Sequence, residues 1–107
     1  MAPPPQDPKE RRGILARVFR FKKSIPADYD LQGYIYFTSR QFRRLPPGRQ
    51  KKIRQLCREA AGSYAPALFE FVTTDAGAAE ICGKHYLSSS ALERMVKRYY
   101  ALFSELV

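Results

Sequence analysis

The sequence predicts a small all-α protein of about five helices. Apolar residues recur at intervals of three and four along most of the chain, which is the period of an amphipathic helix. Prolines and glycines fall between these segments, where they end one helix and open the next. Serine and aspartate stand where helix starts need a capping side chain. These three observations favour helices over strands.

The length and the N-terminal composition indicate one domain with a tail. The chain has 107 residues, 45% of them hydrophobic, enough for a modest core. We expect residues 1–12, which are rich in proline and basic side chains, to form a disordered tail, and residues 13–107 to form one helical domain. The segment ILARVFRFKK, residues 14–23, is either a short helix or an extended arm. We expect neither a secretory signal nor a membrane span.

The first well-defined segment is DLQGYIYFTSRQFRRL, residues 30–45, which predicts one helix. Either Asp28 or Asp30 can cap its start. Pro46 and Pro47 end it and open the next helix, because proline is tolerated in a first helical turn. Its apolar stripe consists of Leu31, Tyr34, Ile35, Thr38, Phe42 and Leu45.

Two further helices follow in PGRQKKIRQLCREAAG and SYAPALFEFVTT. Gly62 is placed to end the first of them. Ser63 is a candidate cap for the second, with Pro66 in its first turn. The expected inner residues are Ile53, Leu56, Cys57 and Ala60 in the first helix and Leu68, Phe69 and Val72 in the second.

The fourth helix is expected in AGAAEICGK, with Thr74 or Asp75 as its cap, and a long fifth helix begins among Ser88 to Ser90. Ser90 and Glu93 have the spacing of a capping box, and Ser88 is an equally good cap. The inner stripe of the fifth helix consists of Leu92, Val96, Tyr99, Phe103 and Leu106, widened by Met95 and Leu102.

The charge of the chain favours a polyanionic partner. It has 19 Lys and Arg against 10 Asp and Glu, a formal net charge of +9. Residues 9–23 carry seven positive charges and one negative charge, and residues 40–58 carry eight positive charges and no negative charge. Nucleic acid is favoured over an anionic membrane surface as the partner.

A family resemblance rests on EICGKHYLSSSALERMV, residues 80–96. This stretch resembles, without a gap, the helix-turn-helix of bacterial and phage regulators, within a homeodomain-like unit at residues 75–103. Ile81 matches the apolar position of the first helix, Cys82 the small residue at the crossing and Leu87 the apolar residue after the turn. Leu92 and Val96 match the inner face of the second helix. RLPPGRQKKI is also loosely similar to the start of region four of sigma factors.

The resemblance implies duplex DNA as the partner. The second helix of this motif presents its N-terminal part to base edges in the major groove. The residues implied to face bases are Ser88, Ser89, Ser90, Glu93, Arg94 and Lys97. We expect phosphate contacts, which supply affinity more than sequence choice, from basic residues elsewhere. These are Arg11, Arg12, Arg17, Arg43, Arg44, Arg49, Lys51, Lys52, Lys84 and Arg98.

Two positions differ from the common form of the motif. Tyr86 stands where glycine is usual, and a non-glycine residue in a left-handed turn costs about 1 kcal/mol or more. His85 stands where a leucine normally faces the core.

No pattern in the sequence indicates an enzyme, a metal site or a cofactor. His85 and the two cysteines lack the number and spacing of zinc ligands, so we expect Cys57 and Cys82 to be reduced core residues. We expect no small-molecule substrate and no membrane partner. Four tyrosines are candidates for an exposed aromatic surface that binds protein: Tyr34, Tyr36, Tyr64 and Tyr100.

The expected function is therefore sequence-specific DNA binding in the cytoplasm and on the nucleoid of a bacterium. The protein is expected to be a transcriptional regulator or a recombination accessory factor of a bacterium, phage or mobile element. Its protein partner would be a recombinase, a polymerase or a second copy of itself. The alternative is a protein-binding adaptor or inhibitor that docks on a larger protein or nucleoprotein.

Overall fold

The computed structural model describes residue 25 and residues 27–106, and this part of the chain is helical without strands. The predicted all-α class is confirmed for it. The expected tail and arm, with Arg11, Arg12 and Arg17, lie outside the described residues. The α-helices are α1 (Tyr29–Arg40), α2 (Pro47–Ala61), α3 (Ala65–Thr73), α4 (Ala78–His85) and α5 (Ser89–Ser104), with 3-10 turns at Phe42–Arg44 and Gly62–Tyr64.

Helix α1 begins as predicted and ends earlier than predicted. Asp28 caps it, accepting a 2.8 Å hydrogen bond from the Leu31 amide. The prediction of one helix through Leu45 is wrong, because α1 stops at Arg40 and a 3-10 turn follows. Leu45 precedes a proline, which disfavours helical backbone there. The Phe42 carbonyl accepts from the Leu45 amide at 3.1 Å and from the Gln50 side chain at 2.9 Å.

Helix α2 follows the prediction at both ends and on its inner face. Pro47 occupies its first turn and Gly62, at φ 56°, ends it. Such a left-handed conformation favours glycine. All four residues expected to face inward are buried: Ile53, Leu56, Cys57 and Ala60.

The starts of α3 and α4 differ from the prediction. Ser63 lies in the 3-10 turn and does not cap α3, which begins at Ala65 with Pro66 in its first turn. Gly77, not Thr74 or Asp75, precedes α4. The Thr74 hydroxyl donates instead to the Glu70 carbonyl at 2.6 Å and accepts from the Ala76 amide at 3.2 Å. These bonds stabilise the turn between the two helices.

Helix α5 is the centre of the core, since it contacts each of the other four described helices. Tyr99 is fully buried, and its hydroxyl lies 2.6 Å from the Ser39 hydroxyl of α1. Ser39 also donates to the Ile35 carbonyl at 2.7 Å. Ser39 and Gln32 are buried polar residues that hydrophobic periodicity did not predict.

Two predictions for α5 need correction. Tyr100, expected on an exposed aromatic surface, is buried, because a helix contacted from several sides buries more than one stripe. Burial raises the pKa of both Tyr99 and Tyr100. Leu106, expected on the inner stripe, is 51% exposed because α5 ends at Ser104.

No helix within the described residues has the length and apolarity to cross a membrane.

Candidate nucleic-acid interface

The connection between α4 and α5 turns on one residue in the left-handed conformation. Tyr86 has φ 56° and ψ 49° and is the only non-glycine residue with positive φ among the described residues. The amides of Tyr86 and Leu87 both donate to the Cys82 carbonyl, the second at 3.1 Å. This pattern ends helices and usually contains glycine. The side chain of Tyr86 is 91% exposed, so the core gives no compensation for its backbone strain.

The inner residues of this helix pair are buried or partly buried. Ile81 is fully buried in α4, and Leu92 and Val96 are 2% and 6% exposed in α5. Cys82 and Leu87 are partly buried and pack against the core. These contacts fix α5 with its opposite face directed to solvent.

The first turn of α5 is polar and open to solvent. Ser88 is the N-cap, and its hydroxyl accepts a 3.1 Å bond from the Ala91 amide. Of the two caps that the sequence allowed, Ser88 and Ser90, the structure uses Ser88. Its hydroxyl oxygen already accepts one hydrogen bond within the helix. Ser89 and Ser90 are exposed in the first turn. Helix N-termini carry a partial positive charge and attract phosphate oxygens.

The outer face of α5 continues from these serines. Glu93 and Arg94 are exposed and Lys97 is partly exposed, on the side of the helix opposite Leu92 and Val96. No ion pair within the described part of the chain involves Glu93, Arg94 or Lys97. The face therefore offers hydroxyls, a guanidinium group and an ammonium group, the donors that contact base edges and phosphates.

Several of the basic residues expected to bind phosphate lie away from the first turn of α5. Arg98 lies in the second half of α5, where its Nε donates to the Glu59 carbonyl at 3.3 Å. Arg49 and Lys52 line a groove together with Phe103, near the last turn. Because about 14 residues at roughly 1.5 Å each separate Ser89 from Phe103, Arg49 and Lys52 lie about 20 Å along the axis from the serines of the first turn.

The remaining cations also lie away from the serines or are partly neutralised. Arg43 and Arg44 are exposed on the 3-10 turn that leads to α2, and Lys51 is exposed in the first half of α2. Lys84 is exposed but forms a 3.0 Å ion pair with Glu70. The antiparallel packing of α2 against α5 explains this distribution, and chain order alone did not indicate it.

One exposed aromatic residue lies beside two arginines of α5. Tyr64, which is 43% exposed, lines a shallow groove together with Arg94 and Arg98. The sequence predicts Tyr64 on a protein-binding surface. The sequence did not predict that Tyr64 lies beside Arg94 and Arg98, because Tyr64 precedes α3 and the two arginines belong to α5.

His85 ties the end of α4 to α3. Its Nε2 lies 3.1 Å from one Glu70 carboxylate oxygen, while the Lys84 ammonium donates to the other. These two hydrogen bonds, first that of His85 and then that of Lys84, lower the pKa of Glu70. The position where a leucine would face the core thus holds a partly buried polar bridge between helices.

Within the described residues, no group of three or more His, Cys, Asp or Glu side chains is arranged to hold a metal ion. Burial raises the pKa of the Cys57 thiol to about 12, so this thiol stays protonated and unreactive near neutral pH.

In comparisons with known proteins, no family model, curated protein or solved structure matches the chain.

Proposed function

We propose that this protein binds duplex DNA in a sequence-specific manner through a helix-turn-helix formed by α4 and α5, in a domain of about five helices. In this proposal the first three turns of α5 enter the major groove. Ser89, Ser90, Arg94 and Lys97 contact base edges or nearby phosphates there, together with Glu93, whose carboxylate accepts from cytosine. Ser88 contributes as the helix cap.

The observation that carries the proposal is the turn itself. A residue in the left-handed conformation stands at the motif position where glycine is usual, although the residue is a tyrosine. Buried residues lie on one side of the following helix and a polar face, open to solvent, on the other. Backbone strain of about 1–3 kcal/mol persists where surrounding structure requires it, often at functional sites.

The net charge of +9 supports the same partner. Phosphate contacts come from Arg98 in the second half of α5 and from Arg43, Arg44, Arg49, Lys51 and Lys52. Duplex DNA has one charge per about 1.7 Å of axis, so a ligand longer than about 20 Å extends from Ser89 to Arg49 and Lys52 near Phe103. The biological role is transcriptional regulation or assistance of recombination, in the cytoplasm of a bacterium or in a phage or mobile element.

The test is selection of bound sequences from a random duplex pool, followed by binding measurements with two sets of variants. Changing Arg94 and Lys97 to alanine is expected to relax sequence preference, at a cost of about 1–3 kcal/mol for each specific base contact. Changing Arg49, Lys51 and Lys52 to alanine is expected to weaken binding to all duplexes alike. The slope of log affinity against log salt should then fall by about one for each phosphate-binding cation that is removed.

The two variant sets serve as controls for each other, since both remove positive charge from the surface. If the wild-type protein enriches no sequence at about 0.1 M salt, where surface charges are moderately screened, the proposal is wrong. An adaptor or inhibitor that docks on a protein is then the remaining candidate. A palindromic enriched sequence would indicate a dimer with half-sites about one helical turn apart.

A further inference from the structure

A second surface of the protein lies between α1, α2 and the last turn of α5. Ile53, Leu56 and Phe103 form the floor of a groove there, and all three are buried. Tyr34 and Leu106 form part of its walls and are 44% and 51% exposed. The groove holds about 480 Å³ and is open to solvent. Covering such apolar walls stabilises a complex by about 25 cal/mol per Å².

The rim of this groove is cationic. Arg49 and Lys52 lie three residues apart on α2, hence on the same side of that helix. Arg49 makes a long contact of 3.5 Å with the Tyr34 hydroxyl. Neither cation has an ion pair within residues 27–106, and no acidic residue lines the groove. The surface therefore combines an apolar floor with two uncompensated positive charges.

This charge pattern disfavours two occupants that the chain itself supplies. A second copy has the same net charge of +9 and would place four rim cations in one interface if the grooves faced each other. The chain's own residues 9–23 carry seven positive charges and one negative charge. Like charges brought together at an interface cost several kcal/mol. The fitting occupant is apolar and acidic.

We propose that this groove docks an acidic amphipathic helix of a partner protein. The apolar side chains of that helix, spaced by three and four residues, fill the groove, and its carboxylates pair with Arg49 and Lys52. Helix-in-groove binding suits this surface because the groove lies between α1, α2 and the end of α5. In the described part of the chain no sheet edge is present to which an extended peptide would add a strand.

The groove is separate from the face proposed to contact DNA bases, so the two proposals can fail independently. Arg49 and Lys52 are common to both, as cations for phosphates or for carboxylates. Leu106 belongs only to the second, because its side chain has no group that binds phosphate, and Tyr34 contributes an apolar ring besides its hydroxyl. Substitutions at these two walls therefore distinguish a docked helix from DNA.

The first step of the test is selection, on the full chain, of binders from a displayed library of random peptides of about 16 residues, long enough for roughly four helical turns. The expected consensus has leucine or phenylalanine at helical spacing, flanked by Glu and Asp. A selected peptide is then synthesised together with a version in which Lys replaces each acidic residue. We expect the acidic peptide to bind at least about tenfold more tightly than the basic one, since like charges oppose binding.

The second step uses variants with matched controls. Tyr34→Ala, and separately the Arg49→Glu and Lys52→Glu pair, are each expected to weaken peptide binding about tenfold, as truncation near the centre of an interface does. Tyr64→Ala is the control for the first, because Tyr64 is 43% exposed in another groove. The Lys51→Glu and Arg58→Glu pair is the control for the second, because it reverses the same number of charges on α2 at exposed positions outside the groove. We expect both controls to stay within about twofold, as surface changes outside an interface usually do.

Three results would overturn this proposal: no enriched peptide, an enriched consensus without acidic residues, or unchanged affinity in Tyr34→Ala. A fourth concerns nucleic acid. If a duplex of about 20 base pairs displaces the peptide and Tyr34→Ala weakens duplex and peptide equally, the groove binds nucleic acid instead. Thermal unfolding of each variant checks folding, and Leu106→Ala, at a wall that is 51% exposed, repeats the test without touching the floor.

Discussion

The two ends of α5 present different surfaces to solvent. The first turn presents the hydroxyls of Ser89 and Ser90, with the cations Arg94 and Lys97 on the following turns. Phe103 in the last turn and Leu106 just beyond the helix complete an apolar groove with a cationic rim. Both ends share one buried stripe, so the difference comes from their neighbours. At the first end α4 is short and leaves the outer face open, whereas at the last end α1 and α2 form walls.

This difference is the basis of the two kinds of recognition that we propose for one helix. Polar donors beside a helix N-terminus suit a phosphate-bearing ligand with base edges. An apolar groove between helices suits a protein helix. Amino-acid substitutions can show whether binding at the two ends of α5 depends on separate contacts. The largest effect on stability is expected where the short helix α4 packs on the core.

Ile81→Ala is expected to have the largest effect, because Ile81 is fully buried and attaches the eight-residue α4 to the core. Truncating such a side chain costs about 2–5 kcal/mol. Chemical unfolding measures this destabilisation, and DNA binding should weaken with it. Leu106→Ala, at an exposed position, is the control and is expected to change stability by less than about 0.5 kcal/mol. A destabilisation below about 1 kcal/mol for Ile81→Ala would show that α4 is held by other contacts.

Ser39→Ala tests the polar contact that joins α1 to α5 between the two ends. It leaves the buried Tyr99 hydroxyl without its 2.6 Å partner, at an expected cost of about 1–3 kcal/mol. Tyr99→Phe removes the other partner, and the double variant should be destabilised by less than the sum of the two single variants. Chemical unfolding of the wild type, the two single variants and the double variant gives the four free energies of unfolding that this comparison needs. Additive destabilisation would mean that the two hydroxyls are not coupled.

Tyr86→Gly and Gly62→Ala test positive φ in opposite directions: both residues have φ 56°, with ψ 49° at Tyr86 and −122° at Gly62. Glycine relieves left-handed strain, so Tyr86→Gly is expected to stabilise the fold by about 1 kcal/mol. Gly62→Ala is expected to destabilise it by about 1–3 kcal/mol through the backbone alone, because a side chain there meets nothing within 4 Å.

The same Tyr86 variant also sharpens the functional comparison. Thermal unfolding gives its stability, and duplex binding shows whether this 91% exposed side chain contacts the ligand. A stabilised variant with weakened DNA binding would assign a DNA contact to Tyr86. A destabilised variant would contradict the expected relief of backbone strain.

The smallest effect is expected at low pH through Glu70. Its pKa is lowered from 4.5 by hydrogen bonds from His85 and Lys84, so folding favours the charged carboxylate. The resulting stability is fully present above pH 4.5 and is lost as the pH falls through the lowered pKa. Wild type should therefore be more stable than Glu70→Gln near neutral pH, and the difference should vanish in acid.

Unfolding by denaturant between neutral and strongly acidic pH measures this difference. Glu80→Gln is the control, because Glu80 is exposed on α4 and has no ion pair within residues 27–106. The difference in free energy of unfolding between Glu80→Gln and wild type is expected to stay constant over this pH range. A difference for Glu70→Gln that grows in acid would mean that folding favours the protonated carboxyl group.

Local patterns predicted much of the fold because they depend on neighbouring residues. Asp28 caps α1, Pro47 opens α2 and Gly62 ends it, each by backbone chemistry within one turn. The buried stripe of α5 followed from the helical period at Leu92, among other positions. Errors arose where two local patterns disagreed. The apolar spacing predicted a helix through Leu45, but the proline after Leu45 disfavours helical backbone there.

The sequence by itself determined the helical class, the blocks of positive charge and the residues that can stand on the outer face of α5. Tertiary structure decided which of them are neighbours. The antiparallel packing of α2 places Arg49 and Lys52 at the far end of α5, and the contact with Ser39 places Tyr99 at the centre. The reason is physical: turns and periods are set within a few residues, whereas the direction and depth of packing depend on contacts between distant segments.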